Sequence, residues 1–149
     1  MYSWQSVYFL SIFDHWLSVK QADDCSTLCY ATAVANDALD EYLQQEQYFI
    51  DFYRSIDNKV IIVVNHQGIE IDVRSERFLH ILQDGLREKR HFCLLFPKYQ
   101  VMFESGYDRT DRMFITNQTD MTFLQHKISE YHLYLIDGID YQSYLSEDN

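Results

Sequence analysis

The chain has 149 residues and a formal charge of −11, with 23 Asp/Glu against 12 Lys/Arg. That is the length of one ordinary domain with an ample core, and the excess of acid argues against nucleic acid or an anionic membrane as a direct partner. The acid is sorted: residues 1–57 hold nine acids and two bases, residues 58–115 eight and nine, and residues 116–149 six and one.

Taken in chain order, Tyr8, Phe9, Ile12, Phe13, Trp16 and Leu17 fall at spacings of three and four, which predicts a buried helix over residues 4–19. Asp23 or Asp24 can cap a second helix. No Gly or Pro interrupts the stretch from Cys25 to Ser55, so a long helix is expected there, with a break possible near Gln44–Gln47. Its apolar stripe includes Ala31, Ala35, Leu39, Tyr42, Phe49 and Tyr53, and its opposite face carries Asp37, Asp40, Glu41 and Asp51.

The period then changes. Val60 to Val64 is short and β-branched, and Ile69, Ile71 and Val73 alternate with Glu70, Asp72 and Arg74, which predicts two paired strands turning at Gly68. Ser75 can cap a helix reaching about Lys89, with Phe78, Leu79, Leu82 and Leu86 inward. Phe92 to Phe96 reads as a strand ended by Pro97 or confined by it to an edge. Residues 100–104 and 112–116 form the arms of a hairpin. A third amphipathic helix starts at Asn117 or Thr119, His132 to Ile136 is a last strand, and an acidic tail follows from about residue 137.

The expected fold is α+β in a single domain: N-terminal helices, one of them long, then a mostly antiparallel sheet of about four to six strands with helices on one face. The N-terminus lacks the positive n-region of a signal peptide, and no run approaches the ~20 apolar residues of a membrane span. Three Cys, an odd number, fit free thiols in a reducing cytoplasm.

No cofactor fingerprint, P-loop, nucleophile elbow or HExxH is present. Cys25 and Cys29, four apart on the expected helix, would offer zinc-type ligands with His15 or with His91 and Cys93, but small buried Cys is the commoner use. Glu70 and Asp72 on one strand face could hold a divalent cation in a metal-dependent hydrolase. The strongest candidate is the acid itself. Asp37, Asp40, Glu41 and Asp51 crowd one helix face with Arg54 the only base after Lys20 in that region, an arrangement that does not serve helix stability.

These features lead to the expectation of a small acidic binding protein, not an enzyme, without cofactor or metal. It would neutralise a basic nucleic-acid-acting protein by occluding its cleft, as immunity proteins do against toxin nucleases and phage-encoded anti-defence inhibitors do against host enzymes. The contact set comprises Asp37, Asp40, Glu41 and Asp51, the loop residues Tyr107, Asp108 and Asp111, and Asp137, Asp140, Tyr141 and Tyr144 of the tail, with Tyr42 and Tyr48 as further aromatic anchors. A self-associating module, down to a homodimer, is the alternative.

Overall fold

The computed structural model describes residues 2–147. Seven strands form one fully antiparallel sheet in the order β3-β2-β4-β5-β6-β1-β7. They are β1 (Ser6–Ser11), β2 (Lys59–Val64), β3 (Gln67–Asp72), β4 (Cys93–Phe96), β5 (Val101–Glu104), β6 (Thr110–Ile115) and β7 (Tyr134–Asp140). Among the described residues six α-helices accompany them: α1 (Val19–Asp24), α2 (Tyr30–Ala35), α3 (Leu39–Ile56), α4 (Glu76–Leu86), α5 (Met121–Glu130) and α6 (Tyr141–Glu147). The α+β class holds, with seven strands among the described residues where about four to six were expected. Among the described residues no helix is long and apolar enough to cross a membrane.

The N-terminus is where the expectation fails. Residues 6–11 are a strand between β6 and β7, not a helix. A run apolar on several sides satisfies a helical period and a doubly covered strand equally, and Val7, Leu10 and Ser11 are all buried. Helix α1 starts instead at Ser18. The Ser18 hydroxyl accepts from the Gln21 amide at 3.1 Å and the Gln21 side chain accepts from the Ser18 amide at 2.9 Å, a closed capping box. Asp23 and Asp24 thus lie at its last turn, not at a cap. The long helix is divided at Asn36–Ala38, where Asp37 takes a left-handed φ of 55°, and it runs unbroken through Gln44–Gln47.

Other elements follow their signals. Asn65 and His66, with φ of 51° and 63°, make the β2–β3 turn, and Gly68 lies within β3 rather than at the corner. Ser75 caps α4 through the Phe78 amide at 3.2 Å. Pro97 ends β4, which is an interior strand. Asp120, one residue past Thr119, caps α5. Residues 137–147 are not a tail: Asp137 to Asp140 complete β7 and the rest is α6.

Helices α3, α4 and α5 cover one sheet face. Phe49, Phe52, Tyr53 and Ile56 of α3 meet Leu94, Phe96, Phe103 and Met113 in one core. Phe52, Tyr53, Phe96 and Phe103 meet edge-on or tilted at centroid distances of 5.1–6.1 Å, geometry that adds to the area each ring buries. Phe114 points to the other face because it alternates with Met113 and Ile115. There it is packed by Trp4, Tyr141 and Tyr144 at 5.7–6.2 Å. Helices therefore flank both faces, with α6 opposite α3.

Candidate partner-binding surface

The β5–β6 loop is held from below. Asp108 and Arg109 are consecutive non-glycine residues in the left-handed region, at φ 53° and 63°, which costs energy and persists only where surroundings enforce it. Several bonds do so. The Gly106 amide donates to Asp111 Oδ1 at 3.1 Å, the Asp108 amide to Glu88 Oε1 at 3.4 Å, and the Ile12 amide and Ser11 hydroxyl to the Arg109 carbonyl, each at 3.3 Å.

Arg109 itself is only 5% exposed. Its guanidinium stacks 4.1 Å from the Tyr42 ring centroid, and Nη1 donates to the Thr27 carbonyl at 3.4 Å and to Gln45 Oε1 at 3.3 Å. Nε and Nη2 have no hydrogen-bond partner among the described residues. Burial pulls its pKa down, opposed by Tyr42, Glu46 and Asp111. Beside it Glu46, 2% exposed, accepts two bonds from Arg87 at 2.8 Å each. That fork raises the Arg87 pKa. Asp111 accepts the Tyr53 hydroxyl at 2.6 Å, and its burial pushes its pKa up to about 6. The same burial, with the Asp111 carboxylate second, drives Tyr53 well above its ordinary value.

This internal network ties the loop to α3, α4 and the segment between α1 and α2. It presents a surface at one end of the molecule. Trp16 is 55% exposed, Tyr107 78%, Val19 81% and Val34 53%. Trp16, Leu17, Leu28 and Tyr107 line a cleft of about 170 Å³ with Asp108. Of the acidic residues Asp108 lines this cleft, while Asp14, Asp23, Asp37, Asp40 and Glu41 are exposed in the segments from β1 to the first turn of α3. Among the described residues Lys20 pairs only with Asp24, at 3.8 Å.

The expected contact residues divide. Asp37, Asp40, Glu41, Tyr107 and Asp108 are exposed on this end, and half-buried Asp51, further along α3, accepts from Gln47 at 2.8 Å. Asp111 is 2% exposed and internal, so it is not a surface contact, and Tyr42 at 0% is core. Tyr48 is half-buried and packs on His132 at 4.9 Å. Tyr141 and Tyr144 are docked on Phe114 on the opposite sheet face, and Tyr144 accepts a bond from Arg112 at 2.8 Å. Asp140 caps the start of α6, its pKa lowered by the Ser143 hydroxyl, and exposed Asp137 lies on edge strand β7. The acidic segment at the C-terminal end thus follows the sheet face opposite α3.

Trp16, Arg109 and Glu46 were not anticipated. Trp16 was hidden in a segment read as a buried helix, and only the aromatic–acid mixture of the Tyr107 loop hinted at Arg109. Glu70 is exposed on β3, and its neighbour Asp72 lies 4.0 Å from Lys59. Cys25 ends α1, Cys29 precedes α2 and Cys93 lies on β4, all three free, so no helix face joins the first two. Burial pushes the Cys93 thiol up to about 11. Among the described residues no group of three or more His, Cys, Asp or Glu is arranged to hold a metal ion. No protein family, curated protein or solved structure matches this chain.

Proposed function

We propose that the protein is an acidic binding protein that neutralises a basic, nucleic-acid-acting protein by covering its cleft, as an immunity protein or anti-defence inhibitor does. The contact surface is the end formed by residues 13–28, α2, the first turns of α3 and the Tyr107 loop. One observation carries the reading: Trp16 and Tyr107 stand exposed at 55% and 78% on one cleft that Asp108 also lines, in a chain whose residues 1–57 hold nine acids and two bases. Large exposed aromatics are the residues that supply most interface energy, and the surrounding acid would steer a basic partner and speed encounter. Helix α6 takes no part in the contact.

The test is affinity capture from the native host or its phage-infected lysate at low and high salt. A basic nucleic-acid enzyme retained at low salt is the expected result. Trp16→Ala with Tyr107→Ala should release it, and its association should slow markedly as salt rises. Capture that is indifferent to both would overturn the reading.

Self-association is the second reading. It is favoured by exposed Val64 and Ile69, at 52% and 44%, beside the open edge of β3. Sedimentation at high concentration decides it: a single monomeric species excludes it.

A further inference from the structure

A second cleft, of about 410 Å³, opens between the C-terminal turn of α4 and the β5–β6 loop and shares only Tyr107 with the lining of the Trp16 cleft. Its charge runs against that of the chain, because Lys89, Arg90 and Arg112 line it together with His91, Ser105 and Tyr107. The local fold explains the convergence. After α4, Glu88 turns through a left-handed φ of 61°, and the Lys89 and Arg90 amides fold back onto the Asp84 carbonyl at 2.8 and 3.2 Å. That turn projects both bases outward, and both side chains are exposed. Among the described residues neither has a carboxylate within ion-pair distance. Arg112 reaches the cleft from β6, fixed by the Tyr144 hydroxyl at 2.8 Å, the Ser105 carbonyl at 3.3 Å and Glu104 at 3.2 Å. Its Nε is buried with no partner among the described residues. Ser105 Oγ and His91 Nδ1 share a hydrogen bond at 3.1 Å, which fixes the imidazole at the wall.

We propose that this cleft binds a small phosphate-bearing molecule. Lys89 and Arg90, exposed and without a carboxylate partner among the described residues, with the fixed Arg112 guanidinium and the Tyr107 ring on the same lining, are groups that hold a multiply charged oxyanion. The volume lies in the range of small-ligand clefts rather than of a single-ion niche. Glu88 is the opposing element. It also lines the cleft, half-buried, and burial raises its pKa while the Asp108 amide it accepts acts the other way. Its charge works against an anion, so its removal should help binding.

The experiment is a titration of the full chain with sodium pyrophosphate at constant ionic strength, followed by the amide NMR shifts of His91, Ser105 and Gly106. Saturable shifts are expected. Lys89→Ala or Arg90→Ala should weaken binding at least about tenfold, since each removes a charged hydrogen-bond donor. Glu88→Gln should tighten it, and Lys98→Ala, an exposed base outside the cleft, should leave it unchanged. No saturable shift into the millimolar range, or equal weakening by Lys98→Ala, would overturn the proposal. Both bases lie on the surface, so their variants fold whether or not the site exists.

Discussion

Asp111 offers the sharpest test of the internal network, because its ionisation is opposed by the fold. The side chain is 2% exposed, and desolvation is the largest influence on it, raising its pKa from 3.8 to about 6 against the counteracting pull of Tyr53, Gly106, Arg109 and Arg112. A carboxyl whose folded pKa lies above its unfolded value binds more protons when folded between the two values. Stability from this group is therefore full below about pH 4 and falls as pH rises to about 6. Each pKa unit is worth ~1.4 kcal/mol, so about 3 kcal/mol is lost over that window.

The variant Asp111→Asn keeps an oxygen acceptor for the Tyr53 hydroxyl and cannot ionise. Other carboxylates titrate in the same range, so the informative quantity is the difference between variant and wild type. Urea denaturation at a series of pH values should show the variant gaining on the wild type by about 3 kcal/mol between pH 4 and pH 7. Carbon NMR of the Asp111 carboxyl should give a midpoint near 6. A pH-independent difference, or a midpoint below 4, would show that the carboxylate is better solvated or better paired than its burial implies.

Three further expectations follow from single contacts. Arg87→Ala leaves the Glu46 carboxylate buried without its two 2.8 Å bonds, and should cost about 3–5 kcal/mol in equilibrium unfolding; a cost below ~1 kcal/mol would mean that water replaces the guanidinium. Gly85→Ala would set a Cβ 2.1 Å from the Phe92 ring, so a loss of about 1–3 kcal/mol should outweigh the ~1 kcal/mol gained in helix propensity. An unchanged melting temperature would refute the packing of Phe92 on α4. Tyr144→Phe removes the acceptor of Arg112 Nη1 and should cost ~1 kcal/mol, with faster amide exchange in residues 141–147; unaltered exchange would show that the rings on Phe114 suffice to dock α6.

Much of the sheet was legible because its strands carry a period-two signal or clear punctuation. Ile69, Ile71 and Val73 alternate with charges, and Ser75, Asn65 and Pro97 mark ends whose chemistry is local. The first strand was not legible. Tyr8, Phe9, Ile12 and Phe13 lie in a segment that is apolar on both sides, because β1 is sandwiched between β6 and β7 and contacts residues on both sheet faces. Periodicity carries no information where every side is covered. The division of the long helix was equally hidden, since Asp37 adopts its left-handed φ without a glycine to announce it.

The charge pattern failed for a different physical reason, and it reshapes the functional reading. A field depends on where carboxylates lie in space, whereas the sequence orders them only along the chain. Strand β1 lies next to the edge strand β7, so the first and last strands of the chain meet at one side of the sheet. Yet α6 then crosses to the face opposite α3, carried there by Tyr141 and Tyr144 on Phe114. What remains exposed in the segments from β1 to the first turn of α3 is Asp14, Asp23, Asp37, Asp40 and Glu41, and Asp108 lines the cleft of Trp16 and Tyr107. Exposed charges more than ~10 Å apart are largely screened from one another at ordinary salt, and α6 docks on Phe114 rather than on the Trp16 cleft. Removing the acid of α6 should therefore leave association with a basic partner nearly unchanged, whereas removing Asp37, Asp40 and Glu41 should slow it. The opposite ranking would place the contact on the Tyr144 face.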